Sequence, residues 1–203
     1  MYIDATKLSP RQNYFLLTQA IIPRPIAWVL TANDNQSYNI APYSFFNAVS
    51  SEPPILMFSS GKRVDQKNKD TLTNLLRTQK CVVHIAHAQQ VNDVNNSAKS
   101  LDRGQSEIDE FNIELADFDG STLPRVAESP IALACDLYKV DEIGDKPMQL
   151  VFVEVKQVFV DDSAIEQNGD RFTLDAKQLD PLARLGGQEY SNLDEIILAT
   201  AAR

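Results

Sequence analysis

Glycine is scarce in this chain, with seven in 203 residues. They stand at 61, 104, 120, 144, 169, 186 and 187, and none builds a G-x-G-x-x-G turn or a P-loop. A Rossmann dinucleotide site is therefore not expected. No G-x-S-x-G elbow occurs, and the two cysteines and two histidines form no strong zinc spacing. Cys81, His84 and His87 do recur at every third residue, but "CVVHIAH" is rich in β-branched residues and reads as a strand. On a strand His84 points away from the other two, and Cys81 and His87 stand about 20 Å apart at roughly 3.3 Å per residue. One ion cannot bridge that, so no metal is expected. One histidine is assigned to the core or an interface and the other to the strand end. Cys81 and Cys135 each lie in an apolar run and read as buried free thiols, a pattern suited to a reducing cytoplasm.

Positive charge is also in short supply: 19 Lys and Arg against 28 Asp and Glu leave a net charge of −9. That balance argues against nucleic acid or anionic membrane as partners. No apolar run is long enough for a membrane span. The start "MYIDATKLSPRQ" lacks a basic segment followed by an apolar one, so no secretory signal is expected. Repeats and low-complexity linkers are missing too. The length suits a single domain, residues 1–203, with room for a real core.

What the chain has is strand. Ser9-Pro10 reads as a helix cap followed by proline at the first helical position, with a short helix to about Ala20 and Tyr14, Leu17 and Ile21 on one face. "IAWVLTA" (26–32) is a strand, "NDNQS" (33–37) a turn, and the chain returns through "SYNIAPYSFFNAVSSEPP" (37–54) as a hairpin. Neither face of that returning stretch is purely apolar or purely polar. "ILMFSS" (55–60) is a further strand. "KDTLTNLLRTQ" (69–79) is a helix with Asp70 as its N-cap and Leu72, Leu75 and Leu76 on one side. "CVVHIAH" (81–87) is a buried strand, and 88–123 are helices and loops. Residues 129–143 and 148–162 are long strands joined at "GDK" (144–146). The tail is mostly irregular, with a short helix near its end. Six or seven strands on short turns favour an antiparallel sheet, closed or nearly closed into a barrel.

Small hydroxyls and cations gather at element ends. "SSGKR" (59–63) offers hydroxyls, backbone N–H groups and cations, the set that phosphate binding uses. "KDT" (69–71) opens a helix whose free N–H groups favour an anion, although capping by Asp70 would need no ligand. "ARLGG" (183–187) supplies another arginine, or a solvated turn.

"RPIAWVLTANDNQSYNIAPYSFFNAVSSEPPILMFSS", "KDTLTNLLRTQKCVVHIA", "ESPIALACDLY" and "DPLARLGGQEY" together resemble the flavin reductase-like FMN-binding family. The resemblance runs over most of the chain in the right order. Its most specific parts are the Asn-x-Ala-Pro-x-Ser core and the late Arg-Leu-Gly-Gly-x-x-Tyr. It implies a mainly β fold with peripheral helices, an antiparallel Greek-key split β-barrel, assembled as a homodimer with FMN near the subunit interface. By the same resemblance, the flavin ring lies against Asn39, Ala41, Pro42, Tyr43 and Ser44. Ser59, Ser60, Arg63, Lys69, Asp70 and Thr71, or a subset, meet the phosphate, with Asp70 orienting rather than touching and Lys62 able to replace Arg63. Arg184, Leu185 and Gly186 close the site, while Phe45, Phe46 and Val49 fall to the barrel core.

The implied activity is that of an NAD(P)H-dependent FMN oxidoreductase, with NADH or NADPH as transient donor and a small molecule or protein as electron acceptor. Two alternatives stay open: an FMN electron carrier reduced by a protein partner, and a non-catalytic flavin-binding barrel. The His-Gly element that NADH-using members often show near the last strands is missing from "QLVFVEV" (149–155). Hydride transfer to a flavin needs no protein acid or base, in keeping with the lack of a catalytic dyad, and no residue is named as proton donor.

Overall fold

The computed structural model describes residues 1–63 and 65–199. Helix α1 (Pro10–Ala20) opens as its sequence predicts: the Ser9 side chain accepts from the Gln12 N–H while the Gln12 side chain reaches back to the Ser9 backbone. Then follow β1 (Arg24–Pro25), β2 (Ala27–Ala32), β3 (Tyr38–Tyr43), β4 (Phe46–Ser51) and β5 (Pro54–Ser60). Helix α2 (Asp70–Thr78) leads into β6 (Lys80–Ile85), and α3 (Val91–Asn96) and α4 (Glu107–Glu110) occupy the polar middle segment. Short β7 (Leu115–Ala116) and β8 (Arg125–Val126) precede the long hairpin of β9 (Ile131–Ile143) and β10 (Met148–Val160). A small hairpin of β11 (Ile165–Asn168) and β12 (Arg171–Leu174), helix α5 (Ala176–Leu179), and β13 (Ala183–Arg184) and β14 (Tyr190–Ser191) complete the order.

Seven strands form one antiparallel sheet in the order β3-β2-β6-β9-β10-β5-β4. Its two edges, β3 and β4, are consecutive in sequence and only Ser44 and Phe45 separate them. A chain that leaves one edge and enters the other within two residues requires the sheet to curl until its edges meet. Beside that crossing the Ser59 N–H donates to the Phe45 carbonyl at 2.9 Å, extending the β4–β5 ladder by one step. The result is the antiparallel Greek-key split β-barrel that the resemblance implies, mainly β with the helices at its periphery. Strand β2, one in from the β3 edge, is buried on both faces. Trp28 and Leu30 join one apolar cluster with Ile40, Val82 and Ala132, while Ala27 and Val29 join the other with Phe58, Val151 and the α2 leucines Leu72 and Leu75. Burial on both sides is why "IAWVLTA" reads as an unbroken apolar run. No helix is long and apolar enough to cross a membrane among the described residues.

Several expectations need correction. The stretch 37–54 is two strands on opposite edges rather than one returning strand. Pro42 sits opposite Trp28 within the β2–β3 ladder. The Ile40 N–H, two residues earlier, points outward to a carboxylate rather than to β2, and Pro42 faces the same outer side, so no ladder bond is lost there. Phe45 and Val49 are 38% and 50% exposed instead of core, and only Phe46 packs partly against it. In α1, Tyr14, Leu17 and Ile21 lie outward, and Thr18 alone is buried. Asp70 is the first helical residue of α2, and the N-cap position belongs to Lys69, which makes no side-chain cap bond. The tail from 192 to 199 has no helix, the late helix being α5, and residues 200–203 lie outside the described set.

Candidate functional site

A buried polar network ties α2 to the first two sheet strands. The Asn74 amide donates to Thr31 Oγ1 at 3.2 Å and to Asn33 Oδ1 at 2.8 Å, and the Asn39 amide donates to Thr71 Oγ1 at 2.9 Å. These side chains are satisfied by one another, as buried polar groups must be. They also fix the first turn of α2 against β3. A cavity of about 550 Å³ opens there, walled by Asn39, Ala41, Pro42 and Tyr43 on β3 and by Lys69, Asp70 and Thr71 at the start of α2. The loop carrying Lys62, Arg63 and Asp65, the segment Ser97–Leu101, and Glu107 at the head of α4 complete the wall.

Each group has a distinct electrostatic setting. Thr71 Oγ1 already accepts from Asn39, which leaves its hydroxyl hydrogen to be donated. Lys69 has its pKa lowered by burial and stands 5.6 Å from the centroid of the Tyr43 ring. No carboxylate lies within ion-pair distance of it among the described residues. Arg63 is held by Asp70 at 3.3 Å, and Lys62 by Glu142 at 3.8 Å. The Tyr43 hydroxyl is sealed from solvent and has no hydrogen-bond partner among the described residues, and burial pushes its pKa up to about 12. The neighbouring hydroxyls of Thr71 and Ser60 partly offset that rise. The Ser97–Leu101 segment is anchored from within the core: the Trp28 indole N–H donates to Ser97 Oγ at 2.9 Å, and Ser97 donates in turn to the Val94 carbonyl. Trp28 also uses its own carbonyl to take the Nδ1–H of buried His84 at 3.0 Å, because the Val126 N–H occupies Nε2. That fixes His84 as a neutral tautomer, its pKa lowered by burial to about 4.

Of the residues singled out in the sequence, Asn39, Ala41, Pro42, Tyr43, Lys62, Arg63, Lys69, Asp70 and Thr71 come together around this cavity. The others do not line it within one chain. Ser60 is fully buried under it, and Ser59 extends the β4–β5 ladder. Ser44, Arg184, Leu185 and Gly186 belong to a second cluster organised by Arg24. This buried guanidinium reaches Ser44 Oγ at 3.4 Å, the Leu185 carbonyl at 2.8 Å, the Ile21 carbonyl at 3.0 Å and the Thr18 carbonyl. Gly186 sits so close to α1 that an added Cβ would stand 2.5 Å from Gln19 Cγ, which explains the glycine there. Arg184 stacks over Tyr190, 4.4 Å from the ring centroid.

Sequence reasoning missed Glu107, the Ser97–Leu101 segment and Arg24. Glu107 and Ser97 lie in a polar segment where acids and hydroxyls ordinarily face solvent. Arg24 carried one faint signal, a cation set directly before the proline that opens the barrel.

A model of the flavin reductase like domain matches residues 19–182. An uncharacterised protein of Halalkalibacterium halodurans is 33% identical over 96% of this chain and 93% of its own length. Among solved structures, nitrilotriacetate monooxygenase component B from Bacillus cereus superposes with a TM-score of 0.89 at 30% identity, covering 98% of both chains. The 2-nitrobenzoate 2-nitroreductase of Pseudomonas fluorescens does so with a TM-score of 0.89 at 26% identity, covering 100% of this chain and 96% of its own. With the split barrel and its edge-strand cavity, these matches establish that the chain belongs to the flavin reductase-like family.

Proposed function

We propose that the cavity at the edge of β3 binds FMN and that the chain is an oxidoreductase using it to carry electrons from NADH or NADPH to a small-molecule or protein acceptor. The observation that carries this reading is the unmatched polarity beside α2. Among the described residues Lys69 has no carboxylate within ion-pair distance, the Thr71 hydroxyl has a hydrogen to donate, and both stand where α2 presents its free N–H groups. A phosphate satisfies all three. The Tyr43 hydroxyl, orphaned beside them, gains a partner if a bound ligand or the Thr71 rotor turns toward it. Arg63, steadied by Asp70, adds charge at the rim. Ala41, Pro42 and Asn39 form a mixed apolar and amide wall that suits a flat heteroaromatic ring with a polar edge. When bound, the flavin supplies the redox chemistry itself. The chain's residues bind it, orient it, and exclude water through the segment that Trp28 anchors.

The site is completed by a second copy of the chain. Tyr14, Phe15, Leu17 and Ile21 on α1 are exposed, and the Tyr14 ring meets exposed Phe45 with centroids 6.3 Å apart. An apolar surface of this kind marks an interface. The Arg24 cluster beside it holds Ser44 and the Arg184–Gly186 loop, so these residues face a partner's site rather than their own.

Anaerobic titration tests the reading directly. The purified protein should take up FMN with a shift of the flavin absorbance, and that absorbance should bleach on adding NADH or NADPH. Failure to bind FMN sinks the proposal. Binding without bleaching by either nucleotide would leave an electron carrier fed by a protein partner.

A further inference from the structure

Glu107 is an acid in an unusual place. It is only 6% exposed, yet it lines the cavity. Ser106 caps its short helix, accepting from the Asp109 N–H and turning the Glu107 side chain back toward β3. There Oε2 accepts from the Ile40 N–H at 3.1 Å. That N–H is the outward donor of an edge strand and would otherwise be bare. Glu107's own backbone N–H also bonds the carboxyl, and no other residue reaches its second oxygen, Oε1, among the described residues. It is left for whatever occupies that space.

We propose that Glu107 is a proton-holding residue of the flavin cavity, and that seating FMN drives its carboxyl to the protonated form with the proton on Oε1. This rests on the FMN reading above. Burial sets the direction, and the charged groups around it add to it. Asp70 on α2 is the acid that acts on it, and Asp65 stands on the preceding loop. Lys69 lines the same cavity beside Tyr43, 5.6 Å from its ring centroid, while Lys99 stands over Phe111 at 5.2 Å, Lys62 turns toward Glu142 and Arg63 toward Asp70. On its own helix Asp109 and Glu110 add negative charge. β3 contributes Asn39, Ala41, Pro42 and Tyr43 to this wall, none of them a cation or a carboxylate. No cation among the described residues pairs with Glu107. Burial already lifts its pKa to about 7. A ring laid over the cavity removes the water that remains at Oε1, and a phosphate on α2 adds further negative charge. Both effects disfavour the carboxylate. Once protonated, Oε1–H is a donor to the carbonyls and ring nitrogens of a flavin, while Oε2 keeps its bond to Ile40.

Calorimetric titration of the apoprotein with FMN at pH 8, repeated in buffers of different ionisation enthalpy, counts the protons. About nine tenths of Glu107 is ionised at that pH if it titrates near 7. The intact chain should therefore take up between about half and one proton per FMN, and its affinity should fall by up to about tenfold per pH unit above pH 8. Glu107→Gln should still bind FMN, with the uptake reduced to near zero and the pH slope flattened. Equal uptake in both proteins, or none in the intact chain, overturns the proposal while leaving FMN binding intact. No FMN binding at all overturns both readings. Infrared difference spectra of the unmutated protein need no variant: FMN addition at pH 8 should deplete a glutamate carboxylate band and create a protonated-carboxyl band. Spectra without that band sink the assignment.

Discussion

The apoprotein should show a stability-versus-pH profile with two opposed contributions that one substitution separates. Burial lowers the pKa of His84 from 6.5 to about 4. Between those values the unfolded chain binds a proton that the folded one refuses, so the His84 contribution is complete above about 6.5 and is lost as pH falls toward 4. Burial raises the pKa of Glu107 from 4.5 to about 7. Here the folded chain holds the extra proton, so the contribution is complete below about 4.5 and is lost as pH rises through 7. Each displacement is worth about 3 kcal/mol, at about 1.4 kcal/mol per pH unit across its window. From about pH 4.5 to 6.5 the two slopes cancel and the intact protein should be nearly flat with respect to this pair. Glu107→Gln removes one slope and keeps the Ile40 bond, since the amide oxygen still accepts. The variant should match the intact chain near pH 4.5, gain about 1.4 kcal/mol per unit up to 6.5, and be about 3 kcal/mol more stable at pH 8. With a typical urea dependence, that is a midpoint shift on the order of 1 M. Urea unfolding of both proteins from pH 4.5 to 8 is the assay. All other carboxylates are common to both chains and drop out of the difference. Parallel curves, or a variant no more stable than its parent at pH 8, would refute the burial argument for Glu107.

Other substitutions probe the phosphate cluster, the glycine contact and the apolar patch. Thr71→Val should weaken FMN binding by about 10- to 150-fold, the loss of one hydrogen bond to a charged group; flavin fluorescence quenching reads it, and unchanged affinity would move the phosphate elsewhere. Arg63→Ala should cost less, because Asp70 at 3.3 Å already engages that guanidinium. Gly186→Ala places a methyl 2.5 Å from Gln19 Cγ and should destabilise the chain by about 1–3 kcal/mol; Gln19→Ala in the same chain should recover most of that in thermal unfolding. Phe45→Glu puts a charge in the exposed apolar patch and should convert a dimer to a monomer by light scattering, with no loss of folded signal.

How far these features can be read without coordinates depends on whether local pattern carries the decisive contact. The strands at 26–32, 55–60, 129–143 and 148–162 announce themselves as apolar, strand-favouring runs because each is buried within the sheet's own layers. The α2 end of the cavity is equally legible, since Lys69, Asp70 and Thr71 combine a helix start with a hydroxyl and a cation. The break at Ser44 and Phe45 is not. Nothing in the period of 37–54 says that the chain changes edges, because edge position is decided by which distant strand claims each half. Tyr14, Leu17 and Ile21 are a case of correct period and wrong partner: the apolar face exists but turns away from its own barrel. An apolar face can be written for a surface that a single chain does not contain. Glu107 marks the firmest limit. An acid in a polar segment is ordinarily solvated, and only the outward N–H of Ile40, left over by the edge position of β3, draws this one inward. The mixed face of "SYNIAPYS" and the buried carboxylate therefore share one cause. An edge strand that pairs on one side must find other partners on its second side, and here those partners are Glu107 at Ile40, a proline that needs none, and the ligand cavity itself.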